Sequence, residues 1–154
     1  MIMRKDVLQG VNKMGYTTNF VGSLKFIKEL KATELAHLKK VLGIDIREFP
    51  DLQCFDVGNK LYYTVDLELT DDFSGLKWSG VEKSCEMVAQ VNFVIRYMRS
   101  KFPDFELDGI MTAQGEEVDD RWVLSIKDGF AIKTVTPPKG TKIECPHCEK
   151  SFYI

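Results

Sequence analysis

Apolar and polar positions alternate in several stretches of the chain, and two further stretches repeat with helical spacing. Between Asn19 and Leu30, Leu24 and Phe26 alternate with Ser23 and Lys25, which predicts a strand. Leu35, Leu38 and Leu42 then fall at i, i+3 and i+7 behind the capping hydroxyl of Thr33. Gly43 stands where such a helix would stop. After Pro50, the runs Leu52–Val57 and Leu61–Leu69 flank Gly58-Asn59-Lys60 and predict a hairpin. In the second run Val65, Leu67 and Leu69 share a core face, leaving Asp66, Glu68 and Thr70 turned to water.

Asp71 to Trp78 read as a loop around Gly75. Ser79 and Glu82 then have the spacing of a capping box, which predicts a long helix from there to Phe102, closed by Pro103. Its apolar face is broad: Val81, Cys85, Val88, Ile95 and Phe102 form one stripe, with Met87, Val91, Val94 and Met98 beside it. Three more strands follow, Phe105–Gln114, Arg121–Lys127 and Phe130–Val135, the last two joined by Asp128-Gly129, a strong hairpin signal. The fold class expected is α+β, an antiparallel sheet with two helices on one face. Its first six elements match a split β-α-β (ferredoxin-like) unit, followed by a C-terminal hairpin and a CxxC tail. Residues 1–15 form an N-terminal arm, 16–136 the α+β domain, and 137–154 a tail set off by Pro137-Pro138.

Composition adds limits. A chain of 154 residues can bury roughly 70% of its unfolded surface, so one core suffices. No apolar run approaches the ~18–20 residues of a membrane span. The first ten residues lack the long apolar stretch of a secretory signal, which points to the cytoplasm and to reduced thiols.

Charge is unevenly spread. Residues 1–50 carry a net +4, residues 51–121 a net −8 and residues 122–154 a net +2. The acidic excess gathers in two places: Asp66, Glu68, Asp71 and Asp72 around one strand, and Glu116, Glu117, Asp119 and Asp120 in one turn. The bland account of both is solvated surface. Carboxylates at i and i+2, as Asp66 and Glu68 stand, can also hold Mg²⁺ for a hydrolase. A clustered acidic surface can imitate phosphates and steer a basic partner. Two histidines leave little room for imidazole acid–base chemistry.

Cys145-Pro146-His147-Cys148 is the motif with a mechanism. Two thiolates at this spacing supply half of a tetrahedral zinc set, and no second C-x-x-C is present. Four readings stay open: a site completed by His147, His37, Cys54 or Cys85; a zinc shared by the tails of a homodimer; a redox pair; and a knuckle that holds nothing. Cys54 on a strand and Cys85 on an apolar helix face fit buried small hydrophobes better than ligands.

The stretch Phe105–Ile132, with its L-x-G strand, its Q-G-E-E-x-D-D turn and its hairpin, resembles a pattern of small uncharacterised proteins encoded by bacteriophages and prophages. Gly22–Leu30 and Leu67–Trp78 look like further pieces of it; the CxxC tail is outside the pattern. The resemblance implies a phage or prophage origin and action on host machinery, host defence included; with the scarcity of histidine, the expectation is a non-enzymatic protein that binds and modulates a host protein or complex. Read from the residues, the contact surface would be the eight acidic side chains named above. The alternatives are a zinc-knuckle accessory to nucleic acid, using Lys25, Lys28, Lys39 and Lys40, and a metal-dependent hydrolase built on Asp66 and Glu68.

Overall fold

The computed structural model describes residues 17–59, 64–82, 84, 86–135, 142–144 and 151–153. The element order is β1 (Asn19–Phe26), α1 (Ala32–Lys39), β2 (Leu67–Leu69), β3 (Gly75–Trp78), α2 (Met87–Lys101), β4 (Leu107–Gln114), β5 (Arg121–Lys127), β6 (Phe130–Val135), β7 (Lys142–Glu144) and β8 (Ser151–Tyr153). The first six strands form one sheet in the order β2-β3-β1-β4-β5-β6. All neighbours are antiparallel. β7 and β8 form a separate antiparallel pair, with Lys142 opposite Tyr153. The architecture is therefore α+β, and no helix among the described residues is long and apolar enough to cross a membrane.

Period-two patterning decides which side of the sheet is covered. Phe20 and Leu24 of β1, Leu76 of β3, Leu107, Met111 and Ala113 of β4, Leu124 of β5 and Ala131 of β6 all point into one core. Helix α2 lies over that side and buries Met87, Val91, Val94, Ile95 and Met98 there. Helix α1 adds Leu38 to the same core. The edge strand β6 is held by Asn92 of α2, whose amide accepts from Ala131 N at 2.7 Å and donates to Ala131 O at 3.1 Å. Those two backbone groups point away from β5, so the clamp closes part of the sheet's open edge.

Several expectations need correction. The run Leu52–Val57 is not a strand: Pro50–Phe55 is a 3-10 turn, Gly58 sits at φ +80, and the predicted hairpin does not form. Proline at the first position of that turn favours it over an extended strand. Gly75–Trp78, expected as a loop, is β3, paired with both β1 and β2. Residues Ser79 and Glu82 cap no helix. The Ser79 amide donates to Asp66 O, Gly80 is left-handed, and the helix starts only at Met87. Between them, Trp78 Nε1 donates to Ser84 Oγ, which itself donates to Val81 O, holding the segment in a turn. Helix α1 starts one residue before Thr33, with Lys31 N bonded to the Glu34 carboxylate in place of the threonine cap. The arm 1–15, residues 60–63, Cys85 and the C-P-H-C motif lie outside the described residues.

Candidate functional site

The side of the sheet opposite α2 has no helix over it among the described residues. The register lays its outward side chains out as a grid. One rung runs Val21, Thr112, Val123, Thr134 across β1, β4, β5 and β6; the next runs Ser23, Ile110, Ser125, Ile132. Aliphatic and hydroxyl side chains thus alternate along each rung and between rungs, and none of the eight is charged. Val21 is 70% exposed, Ile110 56% and Ile132 37%. Isolated exposed aliphatics are ordinary, whereas these stand together on one uncovered layer.

Charges frame this patch. On the β3 side, Lys77 pairs with Ser23 in register and forms a 3.4 Å ion pair with Glu68 of β2. At one end of the strands, Lys25 is opposite Asp108, with Lys127 on β5 nearby. At the other end comes a rung of Asn19, Gln114 and Arg121, then the acidic β4–β5 turn.

That turn is braced from within. Gly115 N donates to Asp120 O at 2.8 Å, Asp120 N donates to Glu117 O at 3.0 Å, and Gln114 Nε2 donates to Glu117 O at 2.9 Å. The Glu116 carboxylate accepts from Thr17 N, tying the turn to the start of β1. Glu116, Glu117 and Asp119 are exposed around Val118, which at 79% is the most exposed large apolar side chain among the described residues. A held loop presents its charges at little ordering cost.

The eight acidic residues do not form one surface. The β2–β3 turn, with Asp71 and Asp72, meets the far end of β1, where Phe26 N donates to Ser74 O. The acidic β4–β5 turn meets its near end at Thr17. Nine residues of extended chain separate the two ends, roughly 30 Å. Asp72 accepts from Thr70 Oγ1, Ser74 N and Ser74 Oγ. The Ser74 hydroxyl, then that of Thr70, hold its carboxyl down to about 2. Asp72 therefore shapes its own turn.

Asp66 is the largest departure. The alternation of β2 begins only at Leu67, so Asp66 escapes the water-facing register and is 6% exposed. Its carboxylate accepts from Thr64 Oγ1 at 2.6 Å and from Gln90 Nε2 at 3.3 Å, while Gln90 Oε1 accepts from Asp66 N at 2.6 Å. Asp66 and Glu68 point to different environments and do not converge as a metal pair. Among the described residues, no three His, Cys, Asp or Glu side chains gather to hold a metal. Cys54 is exposed on the 3-10 turn instead of buried on a strand. His37 packs edge-on against Phe102, 5.4 Å between centroids. Cys145, His147 and Cys148 fall outside the described residues; β7 precedes them and β8 follows.

An open groove of about 840 Å³ lies at the far end of the sheet. Three of its charged side chains have partners: Lys28 pairs with Asp104 at 3.1 Å, and Arg99 Nε donates to Phe105 O at 3.0 Å, while Glu106 and Asp128 also line it. The lysines weighed for nucleic acid are likewise dispersed, Lys25 on the uncovered face, Lys28 in this groove, and Lys39 on α1 over the Phe73 ring.

Sequence reasoning missed the uncovered face because β1, β4, β5 and β6 alternate aliphatic with hydroxyl residues there. Two-sided strands of that kind read as amphipathic, and their register cannot be seen from one strand alone. No family model, no curated protein and no solved structure matches the chain.

Proposed function

We propose that this chain is a non-enzymatic protein-binding module whose contact surface is the uncovered sheet face, with the acidic β4–β5 turn on its rim. The observation that carries the reading is the exposure of Val21 and Ile110 within two adjacent rungs of the sheet that hold no charged side chain. Exposed aliphatics on a rigid layer gain from being covered, and a charged rim selects what covers them. In this reading Glu116, Glu117, Asp119 and Asp120 keep the partner-steering role, Glu68 contributes at the opposite margin through its pair with Lys77, and Asp66 drops out. The resemblance of Phe105–Ile132 to small phage-encoded proteins supports a host protein or complex in the bacterial cytoplasm as the partner.

The strand order β2-β3-β1-β4, with α1 after β1 and α2 after β3, supports the split β-α-β reading of the first six elements. β5 and β6 would then be an added hairpin that widens the uncovered face.

The test is a comparison of captures from bacterial host extract by three tagged forms. These are the natural chain, a Val21→Asp, Ile110→Asp variant, and an Asp71→Asn, Asp72→Asn variant. Proteins kept by the first and third and lost by the second are the expected result. Equal capture by all three refutes the assignment of the surface. For the zinc-knuckle alternative, metal analysis of the full chain reads one zinc, one half or none per chain.

A further inference from the structure

We infer that the two uncharged rungs of the uncovered face take one amphipathic α-helix of the partner, lying across the strands and carrying cationic side chains along its flanks. The inference rests on the reading of that face as a docking surface and goes beyond it by naming the secondary structure and the charge of what docks.

Backbone chemistry narrows the occupant. β1, β4 and β5 each have a paired strand on both sides, so the face offers side chains and no backbone groups. An extended segment laid on it would leave its own N–H and C=O groups unsatisfied, whereas a helix satisfies them internally. A second sheet also satisfies its own, but it needs a broader layer. The uncharged rungs are two deep, about 13 Å along the strands, and four strands wide, about 19 Å. A helix about 10–12 Å across fits that band. A sheet would overrun it onto Lys25, Asp108 and Lys127 on one side and Arg121 on the other.

Spacing sets the helix across the strands. Neighbouring strands stand ~4.8 Å apart and a helical turn rises about 5.4 Å, so one side chain of an apolar stripe falls over each strand. Stripe positions i, i+4, i+7 and i+11 alternate about their midline. The aliphatic residues of the band alternate in the same way: Val21 on one rung, Ile110 on the next, then Val123 and Ile132. Ser23, Thr112, Ser125 and Thr134 fill the opposite places, under the polar shoulders of such a helix. Thr112 Oγ1 has an acceptor within the sheet, Val21 O at 3.4 Å.

Charge gives the helix its sign. The rim at the β4–β5 turn holds Glu116, Glu117, Asp119 and Asp120 against Arg121, a net −3. The opposite rim holds Lys25 and Lys127 against Asp108, a net +1. The stronger field is negative, so lysine or arginine on the helix flanks is attracted and glutamate is repelled. A contact four turns long buries on the order of 1,000 Å² in total, the low end of specific interfaces, and binding in roughly the micromolar range follows.

Two synthetic peptides of about 16 residues test this, each with leucine at the four stripe positions, one with lysine and the other with glutamate on its flanks. Calorimetric titration into the full chain at low salt should show the lysine peptide binding at least about tenfold more tightly. A lysine peptide with its leucines scattered off the stripe should not bind, and Val21→Asp with Ile110→Asp should abolish binding of the striped one. Glu117→Lys with Asp119→Lys should reverse the preference between the two striped peptides, a reversal that also shows the variant to be folded. No binding of the lysine peptide, equal binding of both striped peptides, binding of the scattered one, or a preference that ignores the reversal overturns the inference. The capture comparison keeps the two readings apart. A partner lost only by Val21→Asp, Ile110→Asp, with neither peptide binding, refutes the helix and leaves the docking face standing.

Discussion

Replacing Gln90 by methionine keeps the length and nearly the volume of a side chain that is 1% exposed, and deletes both of its bonds to Asp66. The backbone N–H of Asp66 loses its acceptor in a site without ready access to water, which costs ~1–3 kcal/mol. The carboxylate loses a donor, and a bond to a charged group is worth about 1.5–3 kcal/mol. Thr64 Oγ1 still donates to the carboxylate, so the group is left underserved and not orphaned. The two losses together give ~3–5 kcal/mol, close to the cost of breaking a buried ionic contact. At a urea dependence of about 2 kcal/mol per molar, the midpoint should fall by roughly 1.5–2.5 M with its slope unchanged. Urea denaturation followed by Trp78 and Trp122 fluorescence reads this directly. A double-mutant cycle with Asp66→Asn should show a coupling of about 0.5–3 kcal/mol. A loss under ~1 kcal/mol for Gln90→Met, or no coupling, would mean that Asp66 is hydrated and the buried link is wrong.

Three other outcomes are expected. Asn92→Leu removes the clamp on Ala131, so stability should drop by ~1–2 kcal/mol. Amide exchange at Ala131 should then accelerate by about tenfold, while Ile132, bonded to β5, changes less; equal acceleration at both would refute the clamp. Gly109→Ala forces a Cβ to 2.7 Å from Ser23 O at φ +125. The cost is about 1–3 kcal/mol and a melting temperature lower by roughly 2–12 °C, and an unchanged melting curve would refute it. Asp72, depressed to about 2, stabilises the β2–β3 turn fully above its unfolded value of 3.8 and loses that contribution as pH falls towards 2. A carboxyl NMR titration with a midpoint near 4 would contradict the three bonds it accepts.

Where the sequence was legible, the information was local. β5 and β6 appear with the predicted bounds because Asp128 and Gly129 both take positive φ, as a two-residue hairpin turn needs, and Trp122, Leu124 and Ile126 alternate without interruption. The body of α2 was visible in its stripe, while its start was not. Ser79 has the residue type of a cap, yet its amide is committed to Asp66, a partner 13 positions earlier that no local spacing reveals. β3 was hidden because four residues around Gly75 carry too little alternation to register as a strand; the pairing with β1 and β2 creates it. The acidic candidates divided by the same logic. The β4–β5 turn could be located as a turn with four carboxylates. That Asp66 would turn inward depends on Gln90 reaching across from the helix.

Arg99 sits on the last turn of α2 with its guanidinium over the Phe130 ring, 4.9 Å from the centroid, and its Nε bonded to the chain just before β4. A Cβ at Gly129 would come within 2.8 Å of the Arg99 Nη2. The glycine of the Asp128-Gly129 turn is thus chosen twice, once by its own φ of +84 and once by a cation arriving from 30 positions upstream. D-amino-acid chemistry makes the two demands separable: D-alanine at position 129 satisfies the dihedral, and its methyl points away from where an L-residue's would. A semisynthetic chain carrying it would keep the hairpin and the guanidinium seat, whereas L-alanine would sacrifice both together.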